Sequence, residues 1–176
     1  MNLEFGSEYD EFTSEVEAFC KEYSGATITT NDKKFEMHDA LSGNVSSSKG
    51  KSVGRSEWQK ILIEKGYFAR SIPKEYGGHG GEPDIIKSRI IAGAFAKYKV
   101  PNAMGGQGID MLVPTLLEWG TEDQKQQHIE STLLGETIWC QGYSEPNAGS
   151  DLASLQTKGE LIDGNWVING QKIWTS

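Results

Sequence analysis

The spacing of apolar residues changes once along this chain, and the change falls at Glu136. Before it, apolar side chains recur at helical intervals; after it they alternate, and Asp163-Gly164 and Asn169-Gly170 punctuate the alternating part. A stripe at 3.6-residue spacing is buried by a helix and a period of two by a strand, so one chain must hold both kinds of layer. The expected fold class is α+β. An all-α helical domain spans 1–136, followed over 137–176 by the first strands of an antiparallel β domain, which is incomplete because three strands cannot cover one another.

The helical half carries its own punctuation. Ser7 is placed to cap a first helix whose stripe is Tyr9, Phe12, Val16, Phe19, Cys20 and Tyr23, with glutamates outside. Ser24 to Arg55 is polar, and Leu41 to Arg55 reads as a mobile connector because it offers little to bury. Ser56 with Gln59 forms the pattern of a capping box for a second helix with apolar Trp58, Ile61 and Leu62, closed by Gly66. A glycine-rich loop runs from Tyr67 to Glu82. Pro83 suits the first position of a third helix, whose stripe is Ile86, Ile90, Ala94 and Tyr98. A fourth helix is expected from Gln107 to Trp119, with Pro114 inside it as a kink or restart. Thr121 with Gln124 opens a fifth, which Gly135 stops. Beyond Glu136 the two turn dipeptides predict a three-stranded meander: Leu155–Ile162, Asn165–Ile168 and Gln171–Thr175.

Composition narrows the function. The 176 residues carry a net charge of -8 with 36% hydrophobic and 24% charged residues, and no basic run, which argues against a nucleic-acid surface. No apolar stretch approaches the ~20 residues of a membrane helix. The opening residues lack the basic-then-apolar order of a signal peptide, so a cytoplasmic location is expected. Cys20 and Cys140 lie too far apart in such a chain to suggest a structural disulfide. His38, His79 and His128 share no metal-ligand spacing with them, so no metal site is expected. Cys140 has no histidine near it in sequence to act as the base a nucleophile needs.

Chemistry concentrates in Trp139 to Asp151 and in Lys172 to Ser176. Ser144, Gly149 and Ser150 offer hydroxyls and backbone donors around a turn stiffened by Pro146, which suits a pyrophosphate. Trp174 could stack on a planar ring, with Ser176 donating to its edge. Composition alone favours the plainer account: an ordinary helix-to-strand turn, with Trp174 in a sheet core. Glu145 could serve as a base, but beside Pro146 it reads better as a structural acceptor. Asp151 reads as ordering the turn.

The complete string tilts the balance. Gln141-Gly-Tyr-Ser-Glu-Pro-Asn-Ala-Gly-Ser-Asp, with Val167-Ile-Asn-Gly-Gln-Lys-Ile-Trp-Thr-Ser, resembles the flavin-site signature of the acyl-CoA dehydrogenases, most of all their bacterial long-chain and steroid-catabolic branch. Pro73-Lys-Glu-Tyr-Gly-Gly and Pro114-Thr-Leu-Leu-Glu-Trp-Gly extend the likeness, which runs from Ser56 to Ser176 and more loosely over the first helix. It implies FAD as cofactor. Gln141, Gly142, Tyr143, Ser144, Gly149, Ser150, Trp174, Thr175 and Ser176 would contact it, with Ser150 also reaching the acyl-CoA and the Ser176 hydroxyl beside flavin N5. Ser176 stands where many members have threonine, and Gln141 where some have an aromatic.

The resemblance further implies α,β-dehydrogenation of an acyl-CoA to the trans-2-enoyl-CoA, with electrons passed to an electron-transfer flavoprotein. It also implies a homo- or hetero-oligomer, and an acyl chain lying near Met104 to Leu116. The family's catalytic glutamate belongs to a C-terminal bundle, so no catalytic residue is assigned here and residues 1–176 alone are expected to be inactive. An acyl-CoA oxidase or flavin monooxygenase of the same fold, and a non-catalytic helical binding fragment, remain as alternatives.

Overall fold

A computed structural model describes residues 6–29 and 51–175. Its helices are α1 (Asp10–Glu22), α2 (Arg55–Glu64), α3 (Ile85–Tyr98), α4 (Val113–Trp119) and α5 (Glu122–Leu133). Its strands are β1 (Thr27–Thr29), β2 (Ser52–Gly54), β3 (Lys158–Ile162) and β4 (Asn165–Asn169). Among the described residues the five α-helices all precede Gly135 and the β3–β4 hairpin follows it, as the change of period requires.

The first core forms where α1, α2 and α3 turn their stripes together. Val16, Phe19 and Cys20 of α1 meet Trp58 and Leu62 of α2 and Ile90, Ile91 and Phe95 of α3. Phe19 is its aromatic centre, stacked on Trp58 and Phe95 at 5.9 and 6.1 Å and edge-on to Tyr67 at 5.1 Å. Each such ring, fully buried, contributes about 1.5–3 kcal/mol from removal of apolar surface from water. A second core gathers Ile63, Val113, Ile129, Leu133 and Leu134 beneath Tyr76. Because α2 supplies residues to both cores, it is the central helix.

Between the cores lies a polar group. Gln59 is 1% exposed, and its side chain is satisfied at both ends. Its Nε2 donates to the Leu133 carbonyl at 2.8 Å, and its Oε1 accepts from the Met104 N–H at 2.9 Å. One side chain thus fixes the end of α5 and the loop before α4 to the middle of α2.

The expected capping box at Ser56 and Gln59 does not form. The helix starts two residues earlier than that box requires, directly off β2, with Gly54 at its N-cap and no side-chain cap. Ser56 instead donates to Glu136. Ser7 is not a cap either, since it lies within a short 3-10 turn leading into α1. At α3 the cap is Asp84, whose carboxylate accepts from the N–H groups of Ile86 and Lys87 at 2.9 Å each, so Pro83 precedes the cap. The Thr121–Gln124 capping box forms as expected, and Gly135 ends the helix at φ +71°. Pro114 marks a restart: a π turn over Gly108–Leu112 passes into α4 there, since proline brings no N–H for the preceding turn.

The stretch expected as a connector is structured in its last part. Ser52–Gly54 pairs in parallel with Thr27–Thr29, and Val53 is buried in the first core. Leu41 to Gly50 lies outside the described residues. The meander also closes at two strands. β3 and β4 pair antiparallel around Asp163 and Gly164 at φ +50° and +80°, but 171–175 forms no third strand and Asn169-Gly170 makes no hairpin. The Ile173 N–H goes to the Ser144 carbonyl instead, and Trp174 takes φ +56°, which an extended strand cannot use.

Replacing Gln59 by leucine keeps the volume and orphans the buried Leu133 carbonyl and the half-buried Met104 N–H. A loss of about 2–4 kcal/mol is expected in urea unfolding of the Gln59→Leu chain, from the cost of two unpaired groups. A midpoint equal to that of the parent would show the amide to be dispensable.

Candidate functional site

Past Gly135 the chain crosses the end of α5 before entering the loop that holds the signature residues. Trp139 fixes this crossing. Its indole Nε1 donates to Thr132 Oγ1 at 2.9 Å, and its ring stands edge-on to His128 at 5.4 Å. The approach depends on Gly108: a Cβ there would stand 2.7 Å from Trp139 Cδ1 and 2.8 Å from Thr132 Cγ2, too close for any side chain. A cavity of about 410 Å³ lies beside it, lined by Arg55, Met104–Ile109, Thr132 and Thr137–Trp139. It shares Met104, Gly105 and Ile109 with an open groove of about 740 Å³ that also runs past Phe68, Ile72, Ile91 and Phe95. Met104 to Asp110 therefore borders both spaces, whereas Val113 is buried in the second core.

The signature loop is ordered around Glu145. Its carboxylate accepts from the Gln156 and Thr157 N–H groups at 2.7 and 2.9 Å and from the Lys172 ammonium at 3.0 Å. Its own backbone exchanges two hydrogen bonds with Ala148, which closes the turn around Pro146 and Asn147. The contacts with Thr157 weigh most, then the Gln156 N–H; together with the Lys172 ammonium they outweigh burial and hold the carboxyl down to about 2. So acidic a group, with both oxygens engaged, is a poor proton acceptor, and the structural reading of Glu145 stands. Asp151 orders its turn through the backbone, since its carbonyl accepts from the N–H and hydroxyl of Ser154.

Residues 171–175 lie against this loop. The Ile173 N–H donates to the Ser144 carbonyl at 2.9 Å, and Lys172 Nζ reaches the Tyr143 carbonyl at 3.0 Å. The two halves of the signature, about thirty residues apart in sequence, are thereby brought together. Trp174 is 82% exposed and Tyr143 63% exposed, so Trp174 is not the sheet-core residue that composition favoured. Gln141 donates to the sulfur of Met111, while Gly149 and Ser150 lie on the open side of the turn. Ser176 lies outside the described residues.

Two residues that organise the region carry no local signal for the role they play. Lys172 and Gln59 each act on partners far along the chain, 27 and 74 positions away respectively. Cys140 is exposed, and among the described residues no cluster of His, Cys, Asp and Glu could hold a metal ion. No described helix is long and apolar enough to cross a membrane.

The donor set tests whether these residues suit FAD. Among the described residues the N–H groups of Tyr143, Ser144, Gly149 and Ser150, and the hydroxyls of Ser144 and Ser150, have no protein partner. Unpaired donors in a turn joined to the segment of an exposed flat indole match what a pyrophosphate and a planar ring need. The residues fit the group.

Residues 7–136 match the acyl-CoA dehydrogenase N-terminal domain. The acyl-CoA dehydrogenase IpdE1 of Mycolicibacterium smegmatis is 39% identical over 132 residues, covering 69% of this chain and 33% of the relative. The ChsE4-ChsE5 complex from Mycobacterium tuberculosis matches 100% of this chain and 41% of its own at 30% identity, with a TM-score of 0.57. A Tcur3481-Tcur3483 steroid ACAD variant matches 95% of this chain and 40% of its own at 29% identity and a TM-score of 0.58. The chain spans about a third of the length of the IpdE1 relative it matches.

The low carboxyl pKa of Glu145 gives the loop a defined acid limit. Because the folded value lies below the usual 4.5, its stabilising effect is complete above that value and is lost as pH falls toward about 2. Hydrogen exchange at the Ile173 amide, corrected for intrinsic rate, should stay level from neutral pH to about 5 and then quicken. The Glu145→Gln chain, which has no carboxylate there to titrate, should lack that acid step. An identical profile in both chains would show that another group controls the loop.

Proposed function

The chain belongs to the acyl-CoA dehydrogenase family, and on that premise we propose that it forms the N-terminal part of an FAD-dependent acyl-CoA dehydrogenase. Residues 1–136 make the helical domain and 137–176 the start of the FAD-binding β domain. The reaction removes hydrogens from the α and β carbons of an acyl-CoA to give the trans-2-enoyl-CoA, and an electron-transfer flavoprotein takes the electrons. The observation that carries this reading is the junction of Ile173 with Ser144, which ties the segment bearing the exposed Trp174 to a turn of unpaired donors.

When bound, FAD supplies the hydride acceptor. The chain's own residues bind and orient. Tyr143 and Ser144 offer N–H and hydroxyl donors to the ring edge; Gly149 and Ser150 offer theirs to the pyrophosphate, and Ser150 also reaches the acyl-CoA. Gln141 and Gly142 line the approach. Trp174 covers one face of the ring, with Thr175 and Ser176 continuing along its edge. The acyl group lies along Met104 to Asp110, where cavity and groove meet. The likeness to a steroid ACAD and the roughly 740 Å³ groove support a bulky acyl group. Likeness to a complex named for two components supports assembly with a second, related chain.

Titration of the full-length apoenzyme with FAD, followed by flavin fluorescence, tests the cofactor site. Ser150→Ala should weaken binding by about 1–3 kcal/mol, the worth of a hydrogen bond to a charged acceptor. Equal dissociation constants for variant and parent would remove Ser150 from the site. No residue here matches the family's catalytic glutamate, so residues 1–176 should reduce no dye with acyl-CoA. Turnover by this chain would place the base within it and overturn the assignment.

A further inference from the structure

We propose that Lys172 is a positioning residue for the flavin: it acts by holding the Trp174 segment onto the Tyr143–Glu145 turn. This rests on the reading above that the turn and Trp174 together receive FAD.

The geometry of one side chain carries the argument. The Lys172 stem passes over Gly142, where a Cβ would stand 3.5 Å from Lys172 Cγ. Its ammonium meets the Tyr143 carbonyl and the Glu145 carboxylate, each at 3.0 Å, and the next N–H, that of Ile173, goes to the Ser144 carbonyl. Three consecutive residues of the turn, 143 to 145, are therefore bonded by two consecutive residues of the other segment.

Little else performs this task. Residues 171–175 pair with no strand, and among the described residues their only hydrogen bonds to the rest of the chain come from Lys172 and Ile173. Trp174 is 82% exposed, so packing does not fix its position. The Lys172 and Glu145 side chains are 25% and 8% exposed, which screens the pair less than one at the open surface. Glu145 is in turn anchored on the Gln156 and Thr157 N–H groups, so the ammonium is tied to a fixed point. With its contacts committed to protein oxygens, Lys172 acts on the flavin through Trp174 rather than by touching it.

The test uses the full-length enzyme of which residues 1–176 form the N-terminal part, with Lys172→Met, which keeps the stem and removes the cation, and Lys172→Arg, which keeps the cation. Three readouts are taken: exchange of the Ile173 amide without flavin, the FAD dissociation constant, and thermal unfolding followed by helical circular dichroism. Lys172→Met should speed exchange at Ile173 and raise the FAD dissociation constant about 10- to 100-fold, the equivalent of losing one charged hydrogen bond. Its helical melting should match the parent, and Lys172→Arg should restore both exchange and affinity to within a few-fold. Parental FAD affinity in Lys172→Met would overturn the inference, as would an arginine variant no better than the methionine one. A fall in melting that parallels the loss of affinity would overturn it too. If the parent binds no FAD at all, the cofactor reading fails, and the flavin role of Lys172 with it. FAD binding by the parent, undiminished in Lys172→Met, would instead leave that reading standing and refute the lysine's role alone.

Discussion

The buried amide of Gln59 is the constraint on which the arrangement depends. A polar side chain between two apolar cores costs several kcal/mol unless both its donor and its acceptor are met. Here they are met by the Leu133 carbonyl and the Met104 N–H. That requirement leaves α2, the end of α5 and the loop before α4 few relative positions. An apolar residue at 59 could slide against its neighbours; an amide with two fixed partners cannot.

The candidate site inherits this geometry. Leu133 precedes the turn at Gly135 from which the chain reaches Trp139, and Met104 forms part of the wall shared by cavity and groove. Gly108, on the neighbouring π turn, must then lack a side chain so that Trp139 can lie against Thr132. The sequence-to-site path thus runs from one satisfied amide, through close packing at one glycine, to the start of the signature loop.

Beyond Trp139 the kind of interaction changes. The β3–β4 hairpin leaves Leu161, Trp166 and Ile168 exposed, so no core of its own holds the loop that precedes it. Order comes instead from the Glu145 carboxylate, which collects two backbone N–H groups and an ammonium. Charge-assisted hydrogen bonds suit this role because they are directional and strong where little apolar surface is available. They also leave the hydroxyls of Ser144 and Ser150 free, which packing in a core would not.

The helices were legible in the sequence because their causes are local. The stripe of α1, the Thr121–Gln124 capping box, the positive φ at Gly135 and the Asp163-Gly164 turn are each settled within a few residues, by side-chain spacing or by the steric freedom of glycine. The signature residues were legible as a string for the same reason. What only the tertiary structure decided has its causes far apart along the chain. Gln59 was spaced like a capping residue, yet a carbonyl 74 positions away drew it inward. Ser52–Gly54 looked like connector until β1 offered it a partner. Gln171–Thr175 alternated like a strand, but the free carbonyls of Tyr143 and Ser144 captured it before β4 could. Local pattern states which conformations a segment tolerates. Which distant polar group satisfies its donors decides which of them it takes.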